Sequence, residues 1–284
     1  MITAAVLIQG CSTTRPQGFA KSHTAPGDDL APWNTPRLLF PERLERGYTL
    51  VLPGVGGGDS PVDCGIVVGL KEANVQSAIE LYDWTVGGMR WVENLRDLDR
   101  NRAEAQRIAA KILLYQERYP GRPVHVVGYS GGGGVAVLAL EALPPGQTIA
   151  GAILLAPTLA YDYNLQPALS HTERGILNFY SPLDAVVLMA LGTAAGTTDG
   201  RHTLSAGAIG FEVPKSLDAA GRDAYQRRLF QQGYQVDMLW AGHTGGHFGW
   251  ANSTFVAKHV APLVDVCPDP PLQVAGRNGD RVVR

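Results

Sequence analysis

Several features that mark common functional classes are scarce in this chain. It has only three cysteines among 284 residues, and neither these nor the scattered histidines have the spacing of zinc ligands. No Gly-Lys-Ser/Thr triplet follows a glycine-rich turn, as a phosphate-binding Walker loop requires. The 24 basic residues are balanced by 26 acidic ones and form no dense stripe, so charge gives no case for nucleic-acid binding. The expected partner is a small molecule, and no metal or organic cofactor is implied.

A dinucleotide-binding fold is also disfavoured. Gly131, Gly133 and Ala136 match the looser glycine fingerprint of that fold. The fingerprint also requires an acidic residue about 20 positions later, at the end of the next strand. The corresponding run is Leu-Leu-Ala-Pro at 154–157, which contains no acid.

Apolar residues and glycine are abundant, at 45% of the chain and 34 residues respectively. This length and composition are sufficient for one large core, so we expect a single domain over residues 38–267. Residues 1–11 form a short apolar, signal-like segment. Residues 12–37, rich in Ser, Thr, Pro and Gly, suit a flexible tether, and residues 268–284 form a C-terminal tail.

Alternating strand and helix patterns predict the fold class. Short apolar runs predict strands at residues 48–52, 78–84, 124–127, 149–156, 176–180 and 236–240. Helices are predicted at 65–78, 103–119, 135–143 and 218–232, with a last one beginning near 252–254. Asn101 or Asp99 is predicted to cap the second helix. The alternation implies an α/β protein with an open, mainly parallel sheet and helices on both faces.

The most informative motif is centred on Ser130. A β-branched run ends at Gly128, and Gly128, Ser130 and Gly132 form a G-x-S-x-G pattern that precedes an apolar helix. Such an elbow lifts a serine hydroxyl clear of the backbone on a tight strand-to-helix turn, where flanking glycines leave room for it. The alternative interpretation is a glycine-rich turn without chemistry.

Four places together resemble the α/β-hydrolase family over roughly residues 45–265. They are the glycine-rich strand exit at 52–57, the elbow around Ser130, the run Tyr-Ser-Pro-Leu-Asp at 180–184, and a histidine-containing loop before the last helix. Serine, acid and histidine occur in this order in that family. The resemblance implies a single α/β-hydrolase domain with serine-hydrolase chemistry.

In the family's mechanism, Ser130 is the expected nucleophile, and a histidine must accept its proton. Two histidines lie in the loop after the last predicted strand. His247 is favoured as the base because it lies closer to the final helix, and His243 is the alternative.

The resemblance also implies a carboxylate that orients the base. Asp184 directly follows a predicted strand and is the expected acid. Asp199 and Asp162 are the alternatives, since an aspartate in a turn is also commonly a cap or turn residue.

Two backbone N–H groups are expected to bind the oxyanion of the tetrahedral intermediate. Gly131, immediately after the nucleophile, supplies the first, and Val55 or Gly56 in the glycine-rich exit of the first strand supplies the second.

We expect cleavage of carboxylic esters through an acyl-enzyme. An amide or peptide hydrolase and a non-catalytic ligand-binding lipoprotein are the alternatives. Residues 191–211, glycine-rich and just past the acid, are a candidate lid.

Residues 8–11, Ile-Gln-Gly-Cys, resemble the lipobox of bacterial lipoproteins, whose signal peptide is cut before a cysteine that becomes lipid-modified. This resemblance predicts an exported protein, periplasmic or anchored to a membrane only through Cys11. The alternative is a cytoplasmic protein with an ordinary thiol. If Cys11 is lipidated, Cys64 and Cys267 remain as an even pair, for which a disulfide is an open alternative to two thiols.

Overall fold

The computed structural model describes residues 38–58, 60–87, 90–184 and 196–264. Its centre is a six-stranded sheet in the order β2-β1-β3-β4-β5-β6, and every neighbouring pair is parallel. The strands are β1 Tyr48–Leu52, β2 Ala78–Leu81, β3 Val124–Tyr129, β4 Gly151–Leu155, β5 Ile176–Tyr180 and β6 Leu229–Gly233.

Within the described ranges, one helix precedes the first strand, and the others connect the strands or follow the last one. They are α1 Pro41–Leu44, α2 Pro61–Glu72, α3 Trp91–Arg96, α4 Leu98–Arg118, α5 Gly131–Glu141, α6 Gln166–Ser170, α7 Ala206–Ile209, α8 Ala219–Arg228, α9 Ser253–Phe255 and α10 Ala261–Val264. A π-helical turn, Val256–Val260, joins α9 to α10. Short 3-10 turns occur at Pro182–Asp184, Val236–Ala241 and His247–Ala251. No helix in the described ranges combines the length and the apolar character that a membrane crossing requires.

The sheet is buried on both faces, because successive strand residues point to opposite sides. Leu50 of β1 belongs to the cluster that contains Ile108 of α4. Its neighbour Val51 belongs to the other cluster, with Ile66 of α2 and Val256 near the C-terminus. The predicted α/β class, with a mainly parallel open sheet and helices on both faces, is confirmed.

The prediction of the last strand is wrong. Residues 236–240 form a 3-10 turn in which Val236 is 76% exposed and Trp240 is 83% exposed. The last strand is instead β6, which begins within the segment predicted as a helix at 218–232 and ends at Gly233. Pairing with β5 along the whole strand overrides the weak local preference of this sequence, because strand formation depends strongly on its neighbours.

Three helix starts also differ from the predictions. Helix α5 begins at Gly131 and not at residue 135. Helix α2 begins at Pro61 and ends at Glu72, earlier than the predicted 65–78, since proline is well tolerated in a first turn. Helix α4 begins at Leu98, and its cap is Asp97, whose side chain accepts from the N–H of Arg100 at 3.1 Å. Asn101 and Asp99 therefore lie within the helix, and neither caps it.

The parallel arrangement places the exits of all strands at one edge of the sheet. The loops after β1, β3 and β5 carry the glycine-rich exit, Ser130 and Asp184 respectively. In open parallel sheets, sites form outside this carboxyl edge. The topology thus brings together segments that are far apart in the chain.

Candidate active site

Ser130 occupies the tight turn between β3 and α5 with φ +52° and ψ −120°. This positive φ is rare for a residue with a side chain. The turn is held by its own backbone: the N–H of Ser130 donates to Leu155 O at 2.9 Å, and its carbonyl accepts from the N–H groups of Gly133 at 3.0 Å and Thr158 at 3.1 Å. These bonds offset the strain and fix the serine at the edge of the sheet.

The glycines around Ser130 are required by close packing. A Cβ on Gly128 would lie 2.6 Å from the carbonyl oxygen of Gly132, and one on Gly132 would lie 2.3 Å from that of Leu52. A Cβ on Gly131 would lie 2.6 Å from Cγ1 of Val55. The first turn of α5 is therefore pressed against the exit of β1, which places the peptide after Ser130 beside the glycine-rich loop.

Ser130, His247 and Asp184 form a hydrogen-bonded chain. Nε2 of His247 lies 2.9 Å from Oγ of Ser130, and Nδ1 of His247 lies 2.7 Å from Oδ2 of Asp184. All three side chains are buried. With a carboxylate on Nδ1, that nitrogen carries the proton and Nε2 accepts from the serine hydroxyl.

The chain of three is assembled from separate loops. Asp184 is the last residue of the 3-10 turn that follows β5. His247 is the first residue of the 3-10 turn His247–Ala251. Burial raises the pKa of Asp184 above its ordinary value, and its hydrogen bond to His247 opposes that rise. The carboxyl group of Asp184 is thus shielded from solvent, and its hydrogen-bond partner is the imidazole of His247.

His243, the alternative base, lies elsewhere. Its ring is fully buried and meets the ring of Trp250 edge to face, with centroids 3.9 Å apart. Its Nδ1 accepts the N–H of Gly245 at 2.8 Å, and burial lowers its pKa to about 4. His243 is therefore a neutral core residue that orients the loop leading to His247.

The alternative acids have partners of their own. Oδ1 of Asp199 accepts from the N–H of Ala160 at 3.1 Å, and Asp162 forms an ion pair with Arg201. Both bonds hold the segment that follows β4. The carboxylate that the structure brings to His247 is that of Asp184.

The glycine-rich loop after β1 is held by buried side chains. The carbonyl of Pro53 accepts from Nε1 of Trp84 at 2.7 Å, and the N–H of Gly54 donates to Oδ1 of Asp63 at 2.6 Å. Both polar groups of the peptide between Pro53 and Gly54, the C=O and the N–H, are thus hydrogen-bonded. Trp84 also borders the elbow, since a Cβ on Gly131 would lie 3.0 Å from its Cζ2.

The next two carbonyl oxygens of this loop also accept hydrogen bonds. Gly54 O accepts from the N–H of Gly57 at 3.1 Å, and Val55 O accepts from Nδ2 of Asn94 at 3.0 Å. The N–H groups of Val55 and Gly56 have no acceptor within the described ranges. Val55 is half-buried and Gly56 is exposed, so both N–H groups are accessible to water or to a ligand oxygen.

Asp63 was missed by the sequence analysis. Burial raises its pKa to about 6, against the opposing hydrogen bonds from Gly54 and Ser60 and the nearby His247. The signal available in the sequence is the spacing Ser60-x-x-Asp63 at the start of α2, immediately after the glycine-rich exit. Asn94 had no such signal, because nothing local distinguishes it from a surface amide.

The candidate lid is only partly described, because residues 191–195 lie outside the described ranges. Two places in the described part pack against the scaffold: a Cβ on Gly134 would lie 2.6 Å from Cβ of Thr198, and Ser205 bridges to Ala160. Arg201, Leu204 and Ile209 of the same segment are exposed, and a lid over residues 191–211 stays a prediction.

The cysteine predictions remain open. Cys11 and Cys267 lie outside the described residues, so lipid attachment and a disulfide stay predictions. Cys64 is buried in α2, and its sulfur lies 3.7 Å from the carbonyl oxygen of Gly58.

No family model and no curated protein matches the chain. Similar solved structures include a lipase-esterase related protein from Clostridium acetobutylicum, at 11% identity and TM-score 0.40, covering 77% of this chain and 96% of that one. Another, described as a candidate α/β-superfamily hydrolase from Xanthomonas campestris, shows 17% identity, TM-score 0.36 and coverages of 74% and 95%. A third, described as a candidate aryl esterase from Burkholderia cenocepacia, shows 15% identity, TM-score 0.34 and coverages of 77% and 90%. These identities and TM-scores are too low to indicate a shared chemistry.

Proposed function

We propose that this protein is a serine hydrolase that cleaves carboxylic esters through an acyl-enzyme. The observation that carries the proposal is the chain of two hydrogen bonds, 2.9 Å from Ser130 to His247 and 2.7 Å from His247 to Asp184. The strained elbow, which places the buried Ser130 at the carboxyl edge of the sheet, supports it.

In acylation, Oγ of Ser130 attacks the ester carbonyl carbon while its proton passes to Nε2 of His247. Asp184 stabilises the imidazolium that forms and keeps the ring oriented. Collapse of the tetrahedral intermediate breaks the bond to the leaving alkoxide, which takes the proton from Nε2. A water then repeats the two steps, giving the carboxylic acid and restoring the serine.

The tetrahedral intermediate carries a negative oxygen that must be stabilised. The N–H of Gly131, first in α5, is the proposed first donor, and an N–H of Val55 or Gly56 is the second. Their support is the adjacency of Gly131 and Val55 and the two unclaimed N–H groups in the loop. A preorganised donor of this kind contributes about 3 kcal/mol to the transition state.

Labelling with a fluorophosphonate, followed by peptide mapping, tests the nucleophile. We expect a single adduct at Ser130 and none in Ser130→Ala. A folded protein that does not react at Ser130 would overturn the enzyme proposal and favour a non-catalytic ligand-binding role.

The ester preference needs a second measurement, because the same triad also cleaves amides. A p-nitrophenyl ester and a p-nitroanilide with the same acyl group should be compared over a series of chain lengths. We expect kcat/KM to be higher for the ester throughout. Equal or faster turnover of the anilide would instead assign the protein to amide hydrolysis.

A further inference from the structure

Asn94 of α3 holds the carbonyl of Val55 from 39 residues away in the chain. Its side chain is fully buried. Its Oδ1 accepts from the N–H of Val86 at 3.0 Å and from Nη2 of Arg100 at 3.1 Å. Because both of these groups are donors only, the amide oxygen must face them, and the amide nitrogen must face Val55.

Arg100 of α4 fixes this arrangement. Its guanidinium donates to the carbonyl of Trp84 at 2.7 Å and to Oδ1 of Asn101 at 2.8 Å, in addition to Asn94. It also lies 5.4 Å from the centre of the Trp84 ring. The planar fork of an arginine suits several acceptors at fixed directions. A single cation therefore orients Asn94 and Trp84, which hold the carbonyls of Val55 and Pro53 respectively.

The hydrogen bond to Val55 O determines where the next N–H points. Peptide units are planar, and none in the described part of the chain is cis. In a trans peptide the C=O and the N–H point in opposite directions. With Val55 O directed at Asn94, the N–H of Gly56 is directed away from Asn94 and cannot rotate without breaking that bond.

We propose that Asn94, held by Arg100, is a positioning residue that orients the Val55–Gly56 peptide as part of the oxyanion hole. This inference rests on the proposed function and names a residue that acts on the reaction through the backbone. It does not touch the reacting atoms.

Asn94→Asp is the direct test. The aspartate has the same shape and still accepts from Val86 and Arg100, but it cannot donate to Val55 O. We expect kcat/KM for a p-nitrophenyl ester to fall roughly 10- to 100-fold through kcat, while KM changes less than about threefold. Affinity for a trifluoromethyl ketone, whose adduct carries the same oxyanion, should fall by a similar factor.

Asn101→Asp is the matched control. Asn101 is equally buried and also accepts from Arg100, but its amide nitrogen donates to the backbone oxygen of Asn94 and not to the glycine-rich loop. We expect its kcat/KM to stay within about threefold of the unaltered protein. If Asn94→Asp does not fold, Arg100→Lys replaces it, since lysine keeps the charge but not the fork. A several-fold loss of kcat at constant KM is then expected.

Two results would overturn the inference. One is unchanged kcat in the Asn94 variant (or in Arg100→Lys, where that replaces it). The other is equal losses in the Asn94 and Asn101 variants that follow their loss of thermal stability, which would indicate a structural role only. Failure of the proposed function is distinguishable, because the unaltered protein would then neither hydrolyse esters nor react with a fluorophosphonate, and the inference would fall with it.

Discussion

The hydroxyl of Tyr129 donates a hydrogen bond to the backbone carbonyl of His247 over 3.2 Å. The residue just before the proposed nucleophile therefore holds the main chain of the proposed base, and the two rings lie 5.1 Å apart. The bond is buried and joins the end of β3 to the loop that follows β6. It fixes two partners of the site relative to one another without taking part in proton transfer.

Tyr129→Phe should loosen this link. The ring remains, but the carbonyl of His247 loses its donor, which costs about 1 kcal/mol of stability. We expect kcat to fall roughly two- to tenfold, since small misplacements of a base are costly. Steady-state kinetics and urea unfolding measure the two effects, and an unchanged kcat would show that the imidazole is held by Asp184 alone.

Substitution of His247 and substitution of His243 should cause different defects, the first in catalysis and the second in stability. His247→Ala removes the group that accepts the serine proton, so we expect kcat to fall by about 10³-fold or more with the fold retained. His243→Ala leaves a cavity beside Trp250 and should cost on the order of 2–4 kcal/mol of stability. Its folded fraction should still label at Ser130 with a fluorophosphonate. The opposite pattern would make His243 the base.

Asp184→Asn tests the acid. An amide at this position can donate to Nδ1, which favours the wrong tautomer and leaves Nε2 protonated and unable to accept from Ser130. We expect kcat to fall about 10⁴-fold with little change in unfolding midpoint. Asp199→Asn, at an acid that holds the segment after β4, is the control and should keep most of its activity.

Stability should decrease in mild acid because of His125. This histidine lies inside β3, where burial lowers its pKa to about 4, and within the described residues neither ring nitrogen has a hydrogen-bond partner. The folded protein therefore binds fewer protons than the unfolded chain, whose histidine titrates near 6.5. The His125 contribution is complete above about pH 6.5 and is lost as the pH falls towards 4, a change on the order of 3 kcal/mol.

His125→Met isolates that contribution. A neutral, flexible apolar side chain in this position cannot acquire a charge, so the drop in urea midpoint between pH 7 and pH 5 should be smaller than in the unaltered protein. His243 has a similarly lowered pKa and remains in both proteins, so part of the acid sensitivity should persist. Equal drops in the two proteins would contradict the assignment to His125.

Gly132→Ala and Gly131→Ala should differ in what they damage. At Gly132 the new methyl would meet the backbone oxygens of Leu52 and Pro53 at 2.3 and 2.4 Å, and backbone cannot move cheaply, so we expect severe destabilisation. At Gly131 the closest atom is a side-chain methyl of Val55, which can shift. That variant should fold but lose kcat, and circular dichroism with ester kinetics distinguishes the two outcomes.

Much of the scaffold was readable in the sequence because its signals are local. The apolar runs of β1, β4 and β5 lie between turn residues, and each strand is buried on both faces, so composition alone indicates it. The elbow is equally local, since its glycines and serine are adjacent in the chain. Strand β6 was not readable, because its pairing with β5 and not its own composition makes it a strand.

The sequence by itself indicated the fold class and the elbow at Ser130, because the strand, helix and turn patterns behind them are local. It also showed the order of the candidate serine, acid and histidine, which is a property of the chain and needs no contact between them. Only the tertiary structure shows that His247, and not His243, lies within hydrogen-bond distance of Ser130, and that Asp184, and not Asp199, lies within that distance of His247. Those distances join loops that the parallel sheet brings to one edge. The same holds for Asp63, Asn94 and Arg100, whose importance comes from the distant backbone groups they bind.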